Sequence, residues 1–221
     1  MSLYTKLRNK ALKNDLEVED LLAFAKESDC SGVEVLERLA SEFDWSSENF
    51  RDGYRIVPLR KWAYVVEQYL IGGYQAMVSL ATAAQTRDSH ACFVIALLED
   101  LHTTDAVTAV IQICADLRNA PENDLELAMR CATAFNLLLS FKPFLTIPNN
   151  QRDSVKGFLH TLLKPPLTDA QMGTVICALR CVGDEDSISL IKSLKPLEGV
   201  WAGTQQTAIR QISKRLKECK T

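Results

Sequence analysis

The chain has 221 residues, of which 47% are hydrophobic and 24% charged, so it is long enough to bury a core and has the composition of a globular protein. Nine Gly and seven Pro are too few for the many turns of a β-sandwich or barrel, and we therefore expect an all-α fold. A formal net charge of -3 gives no overall attraction to nucleic acid or to an anionic membrane.

The cysteines indicate a reducing compartment. There are seven, an odd number, with no CxxC pair, and most lie in apolar helical runs where a thiol packs as a small hydrophobe. The N-terminal residues contain no apolar signal-peptide core, and no stretch approaches ~18 uninterrupted apolar residues. The sequence predicts a cytoplasmic protein without a membrane-spanning helix.

The N-terminal region is predicted to be helical but irregular. Apolar residues recur at three- to five-residue steps up to Phe43, which predicts short helices. A connection containing Trp45 and Tyr54 follows, and then a helix that Gly72-Gly73 interrupts. Because residues 1–87 do not share the pattern of the remainder, we expect them to form a separate irregular helical region.

Residues 88–221 show a repeated pattern of helical hairpins. The second helix of each of three hairpins is predicted to begin at Asp105, Asp153 or Asp186, each followed by a small residue and then a β-branched one. We expect each Asp to accept hydrogen bonds from the free amides at its helix start. A final helix, Thr204 to Leu216, closes the array.

One segment carries a resemblance to a known family. The run Cys177–Asp184, followed by Asp186, Ile188 and Ile191, resembles a bacterial HEAT or armadillo-type repeat unit, and Thr168 is expected to cap its leading helix. The resemblance covers one unit well and two loosely. It implies an α-solenoid of antiparallel helical hairpins, a fold used mainly for binding.

Residue types that carry chemistry are sparse. The three histidines, His90, His102 and His160, are not spaced as metal ligands, and no nucleophile or phosphate-loop motif is present. We therefore expect no cofactor or metal, and the sequence does not favour an enzyme. The acidic segment from Glu17 to Asp29 is either a solvated helix face or a surface for a basic partner.

The C-terminal helix is basic. Arg210, Lys214 and Lys217 follow one another at helical spacing. Such cations complement the helix dipole and give the end of an array a polar outer face. The alternative is that they contact phosphate groups.

The leading hypothesis is a noncatalytic protein-binding module, either an immunity protein or other inhibitor that neutralises a toxin, or an adaptor. The alternatives are a nucleic-acid-binding protein or alkylpurine DNA glycosylase of HEAT-like fold, for which no Trp, Asp and Arg group stands at matching repeat positions, and a scaffold subunit. Polar positions of mixed charge on the second helices suit a protein partner, and aromatic residues in connections are either buried or anchors for it. The candidate partner-binding residues are Gln112, Asp116, Lys156, His160, Lys192, Trp45, Tyr54 and Trp201.

Overall fold

The computed structural model describes residues 73–82, 91, 94–96, 98, 99, 101, 103–140, 145–164 and 166–218. These residues form helices and their connections, with no strand among them, so the predicted all-α class is confirmed. The chain divides into two compact units, Met1–Leu101 and His102–Thr221. The helices predicted before Gly73, the acidic segment, and the connection with Trp45 and Tyr54 lie outside the described residues.

In the first unit the structure describes helix α1 and part of a second helix. Helix α1 is Gly73–Thr82, and Met77 on it is fully buried. The described residues from 91 to 99 are helical, with Val94 and Ile95 buried, as their spacing predicts.

The described residues of the second unit form six α-helices with short 3-10 turns between some of them. The turns are Ala115–Leu117, Pro121–Asp124 and Gly199–Trp201. The helices are α2 (Thr104–Ile113), α3 (Leu125–Ser140), α4 (Asn149–Leu162), α5 (Asp169–Val182), α6 (Glu185–Ser193) and α7 (Thr204–Glu218).

Two of the predicted aspartate caps are displaced by two residues. Thr103, not Asp105, caps α2, and Asp184, not Asp186, caps α6; each accepts from the amide three residues later. An N-cap side chain reaches that amide only from outside the helix, whereas an Asp inside the first turn acts through the helix dipole. The predicted cap at Thr168 on α5 is confirmed.

The third predicted aspartate cap is also wrong. Helix α4 begins at Asn149, directly after Pro148, so Asp153 lies inside the helix and its side chain is 68% exposed. Proline fixes a backbone φ that suits the entry to a helix, and it moves the start upstream of the aspartate. No side chain caps α4.

Alternate helices of the second unit pack side by side. We call α2, α4 and α6 the first row and α3, α5 and α7 the second row. In the second row α5 packs extensively on α3 and on α7; in the first row α2 packs on α4, and hydrogen bonds join α4 to α6. Contacts of α4 with α5 and of α6 with α7 connect the rows.

The core lies between the rows. Phe135 on α3 and Phe158 on α4 meet edge to face with ring centroids 6.1 Å apart, and both side chains are buried. Burying a side chain of this size contributes about 1.5–3 kcal/mol to stability, and an edge-to-face pair adds about 0.5–1.5 kcal/mol. The apolar periodicity of the two helices therefore accounts for their pairing.

The corner between α5 and α6 depends on Gly183. A Cβ atom at this position would lie 2.9 Å from Cδ1 of Ile212 on α7 and 2.8 Å from the carbonyl oxygen of Leu179. Real Cβ atoms do not approach other atoms so closely, so glycine is what allows α7 to pack against this corner.

Candidate functional site

Polar side chains join the helices of the first row. Gln151 Nε2 on α4 donates to Thr108 Oγ1 on α2 over 2.7 Å. Lys156 Nζ on α4 donates to Asp184 Oδ2 at the start of α6 over 2.6 Å, and it also lies 3.2 Å from Asp153. These hydrogen bonds and ion pairs connect each helix of the first row to the next.

The hydroxyl of Ser187 is the centre of this network. It is fully buried, donates to Asp184 Oδ1 over 3.1 Å, and accepts from the Asp184 amide over 3.1 Å. His160 Nε2 lies 2.7 Å from the same oxygen. Because a hydroxyl has one donor and two acceptor sites, the assignment that satisfies all three contacts has His160 donating from Nε2.

The hydrogen bonds among Ser187, His160 and Asp184 do not follow the arrangement of a catalytic triad. In a triad the carboxylate orients the histidine and the serine oxygen is open to substrate. Here the carboxylate accepts from the serine, and the serine is inaccessible. The arrangement holds α4 against α6 and is structural.

The charges of the network follow from burial and hydrogen bonding. Burial lowers the pKa of His160 and so favours the neutral imidazole, although the negative charge of Asp184 acts in the opposite direction. Burial alone would raise the pKa of Asp184, but hydrogen bonds from Lys156 and from the amide and hydroxyl of Ser187 outweigh it and lower the pKa to about 2.

A second set of polar contacts lies where the carboxyl ends of α3 and α5 meet α7. Arg180 on α5 donates from Nη2 to Asn136 Oδ1 on α3 over 3.2 Å and from Nε to the Cys177 carbonyl over 2.9 Å. Arg215 on α7 donates to the carbonyl oxygen of Gly183. Arg215 therefore satisfies a carbonyl just beyond the end of α5, where carbonyls lack intrahelical partners, and Arg180 connects α5 to α3.

A cavity of about 440 Å³ opens beside these contacts, entirely within the second unit. Its polar lining includes three arginines, one on each of α4, α5 and α7, together with two hydroxyls. Its apolar lining comes from α3, α5 and the segment before α4. The lining residues are Leu139, Ser140, Leu145, Thr146, Ile147, Arg152, Arg180, Cys181, Val182, Gln211, Arg215 and Glu218.

Arg152 differs from the other two arginines of the cavity. Its Nε atom is buried, and no hydrogen bond or ion pair joins its guanidinium to the residues that the structure describes. A buried N–H donor without a partner costs free energy, because it has lost water without replacing it. Arg152 as a whole is partly exposed, and its buried Nε is a donor that the described residues do not use.

The residues predicted to bind a partner differ in their exposure and in their contacts. Gln112, Asp116 and Lys192 are exposed, and they lie on or next to helices of the first row. Lys156 and His160 are only partly exposed and use their polar atoms in contacts between α4 and α6.

Trp201 is half-buried, and its ring lies against α5 at Gly173, where a Cβ atom would stand 2.2 Å from Trp201 Cε3. Trp45 and Tyr54 lie outside the described residues. The predicted phosphate contacts Arg210, Lys214 and Lys217 are exposed on α7.

Sequence reasoning missed the arginine-lined cavity. Arg152 and Arg180 stand in helices with the pattern of ordinary amphipathic segments, and Arg215 lies in the last turn of α7, where the helix dipole already explains a cation. The one local signal is that Arg152 lies in the first turns of a helix, where a cation is unfavourable.

Among the described residues no three His, Cys, Asp or Glu side chains come together as metal ligands would. Of the helices in the same part of the chain, none is long and apolar enough to cross a bilayer. A scan against protein-family models found none that matches the chain, and searches of curated proteins and of solved structures found no match to it.

Proposed function

We propose that the second unit is a short HEAT-like array of helical hairpins that acts as a noncatalytic protein-binding module, with the first row as its binding surface. The packing of alternate helices supports the architecture, because each hairpin of such an array stacks its helices on the equivalent helices of the next. Both an inhibitor, such as an immunity protein, and an adaptor would have this binding activity.

The observation that carries the proposal is the division of polar groups within the first row. The side chains that face neighbouring helices, such as Lys156 and His160, satisfy one another. Gln112, Asp116 and Lys192 instead remain exposed, one neutral, one negative and one positive. A surface of mixed charge on a rigid support suits a protein partner, since electrostatic complementarity determines which partner it accepts.

The test is site-directed photo-cross-linking in the cells that make the protein. A photoreactive residue replaces Gln112 or Lys192, and the control carries it at Ala170, an exposed position on α5 in the second row. We expect the same protein adduct at both first-row positions and not at the control position. The cross-linked partner is then purified for direct binding measurements.

Charge reversal completes the test. The double variant Asp116→Lys with Lys192→Glu is expected to weaken binding of the purified partner by about tenfold, since like charges then face each other across the interface. Adducts that are equally frequent at Ala170, or an affinity unchanged in the double variant, would contradict the first row as the binding surface.

A second candidate is binding of nucleic acid through α7. Arg210, Lys214 and Lys217 are exposed there, and the Lys214 ammonium has only a 3.7 Å contact with the exposed Glu218. The test is a gel shift with RNA and DNA at several salt concentrations. Binding that weakens steeply with salt, and that Arg210→Gln with Lys214→Gln abolishes, would favour this function over the first.

A further inference from the structure

The cavity between α3, α4, α5 and α7 is lined by three arginines, and the hydrogen bonds of the described residues account for two of them. Arg180 and Arg215 have structural roles, because they donate to carbonyl oxygens near the end of α5. Arg152 has no such role. It stands near the amino end of α4, where free amides already create positive potential and the first turn contains no acidic residue.

The position of Arg152 therefore favours an anion in the cavity. Its buried Nε has no hydrogen-bond acceptor within the described part of the chain, and α4 begins without a side-chain cap. Arg180 uses Nε and one Nη2 donor for protein contacts, which leaves its other terminal donors uncommitted in the described structure. An anion in the cavity would supply acceptors to both guanidinium groups.

The charge of the lining indicates which anion fits. Three arginines and one glutamate, Glu218, leave an excess of two positive charges. A phosphate monoester carries close to two negative charges at neutral pH, whereas a carboxylate carries one. Thr146 and Gln211 add neutral donors around the same space, whereas the Ser140 hydroxyl donates to Asn136 Oδ1.

The size and the apolar wall indicate that the ligand is more than a bare phosphate ion. At about 440 Å³ the cavity is in the range of small-molecule sites, which extend from about 300 to 1,000 Å³. One side of the cavity is apolar, and contact of this side with a carbon skeleton is more favourable than contact with water. It is formed by Leu139, Leu145, Ile147 and Val182.

We propose that this cavity binds a small organic phosphate monoester. Arg152 and Arg180 hold the phosphate, Arg215 adds positive charge from α7, and the apolar wall takes the organic group. The site is separate from the first-row surface, and the proposal does not depend on the proposed protein-binding function.

The experiment is calorimetric titration of the full chain with three probes: phenyl phosphate, inorganic phosphate and benzoate. Phenyl phosphate has both the dianion and an apolar group, and each of the other two lacks one of them. We expect saturable binding of phenyl phosphate, with inorganic phosphate and benzoate each weaker by about tenfold or more.

Variants then assign the binding to the cavity. Arg152→Gln should weaken phenyl phosphate binding by about ten- to a hundredfold, the range for a lost hydrogen bond to a charged group. The matched control is Lys164→Gln, which removes the same charge from an exposed position outside the cavity and should leave the affinity unchanged. Glu218→Gln should strengthen binding severalfold, because it removes the competing negative charge, and a gain cannot arise from misfolding.

Three outcomes would overturn the proposal. The first is the absence of saturable phenyl phosphate binding at millimolar concentration. The second is equal loss of affinity in Arg152→Gln and Lys164→Gln, which would indicate unspecific attraction to positive charge. The third is benzoate binding as tightly as phenyl phosphate, which would replace the phosphate with a carboxylate.

Discussion

The carboxylate of Asp184 makes two kinds of contact at once with α4 and α6. Its Oδ2 lies 2.6 Å from Lys156 Nζ on α4, which is 28 residues earlier in the chain, and its Oδ1 accepts from the Ser187 amide and hydroxyl in the first turn of α6. One side chain therefore caps a helix and fixes its position beside the preceding helix of the first row. Its loss affects both secondary and tertiary structure.

We expect Asp184→Ala to destabilise the second unit by about 1–3 kcal/mol. The loss of an N-cap costs about 0.5–2 kcal/mol, and the partly buried Lys156 also loses its closest counter-ion. The measurement is the free energy of unfolding in urea. Asp153→Ala is the control, since Asp153 also pairs with Lys156 but is 68% exposed, and its loss should cost less than about 0.5 kcal/mol. Equal costs for the two variants would contradict the role given to Asp184.

His160 is expected to make stability depend on pH between about 5 and 7. Its pKa in the folded protein is below the ordinary value of 6.5, mainly because of burial, so the unfolded chain binds a proton more readily. The contribution of His160 to stability is therefore fully present above pH 6.5 and is lost as the pH falls below it. The measurement compares the unfolding free energies of wild type and His160→Gln across this range.

Glutamine at position 160 can still donate to Ser187 but does not titrate. The difference in stability between wild type and variant should therefore change as the pH falls from 7 to 5, in the direction that favours the variant. A difference that stays constant over this range would show that His160 titrates equally in the folded and unfolded states.

The helices of the second unit were predictable because their signals are local. Buried positions such as Phe135, Leu159 and Val175 recur at helical spacing, and Thr168 precedes its helix as a cap does. The caps at Thr103 and Asp184 were missed because a nearby aspartate offers the same chemistry two residues later, and only the backbone conformation distinguishes them.

The arginine-lined cavity could not be predicted in this way. Arg152, Arg180 and Arg215 lie on three helices, and only the packing of those helices brings them around one space. An arginine in the last turn of a helix, such as Arg180, already has a sufficient local explanation in the helix dipole. The informative residue is Arg152, because its local environment disfavours a cation and the described residues around it supply no acceptor to its buried Nε.

The hydrogen bond between Gln151 and Thr108 is expected to be costly to break from one side. In Thr108→Val the amide group of Gln151 loses its 2.7 Å partner while the Oε1 atom of Gln151 is already buried without one, so we expect a loss of about 1–3 kcal/mol. Gln151→Met removes the buried polar group itself and should cost less. Urea unfolding of both variants measures the difference, and a greater cost for Gln151→Met would contradict this interpretation.

Glycine at two helical positions is expected to respond oppositely to alanine. At Gly173 on α5 an added Cβ would lie 2.2 to 2.8 Å from three ring atoms of Trp201, so the indole must leave its place against the helix. Overpacking of this kind costs about 1–3 kcal/mol. At Gly157 on α4 nothing lies within 4 Å, and alanine should stabilise the protein by about 0.5–1 kcal/mol through its better helix propensity.

The same pair of variants tests how Trp201 is held. Gly173→Ala should shift the tryptophan emission to longer wavelength, because the displaced indole gains contact with water, whereas Gly157→Ala should leave the spectrum unchanged. In a Trp201→Ala background the cost of Gly173→Ala should largely disappear, since the ring that blocks the methyl group is gone. If that cost persists without the indole, the glycine is required by α5 itself and the contact with Trp201 is incidental.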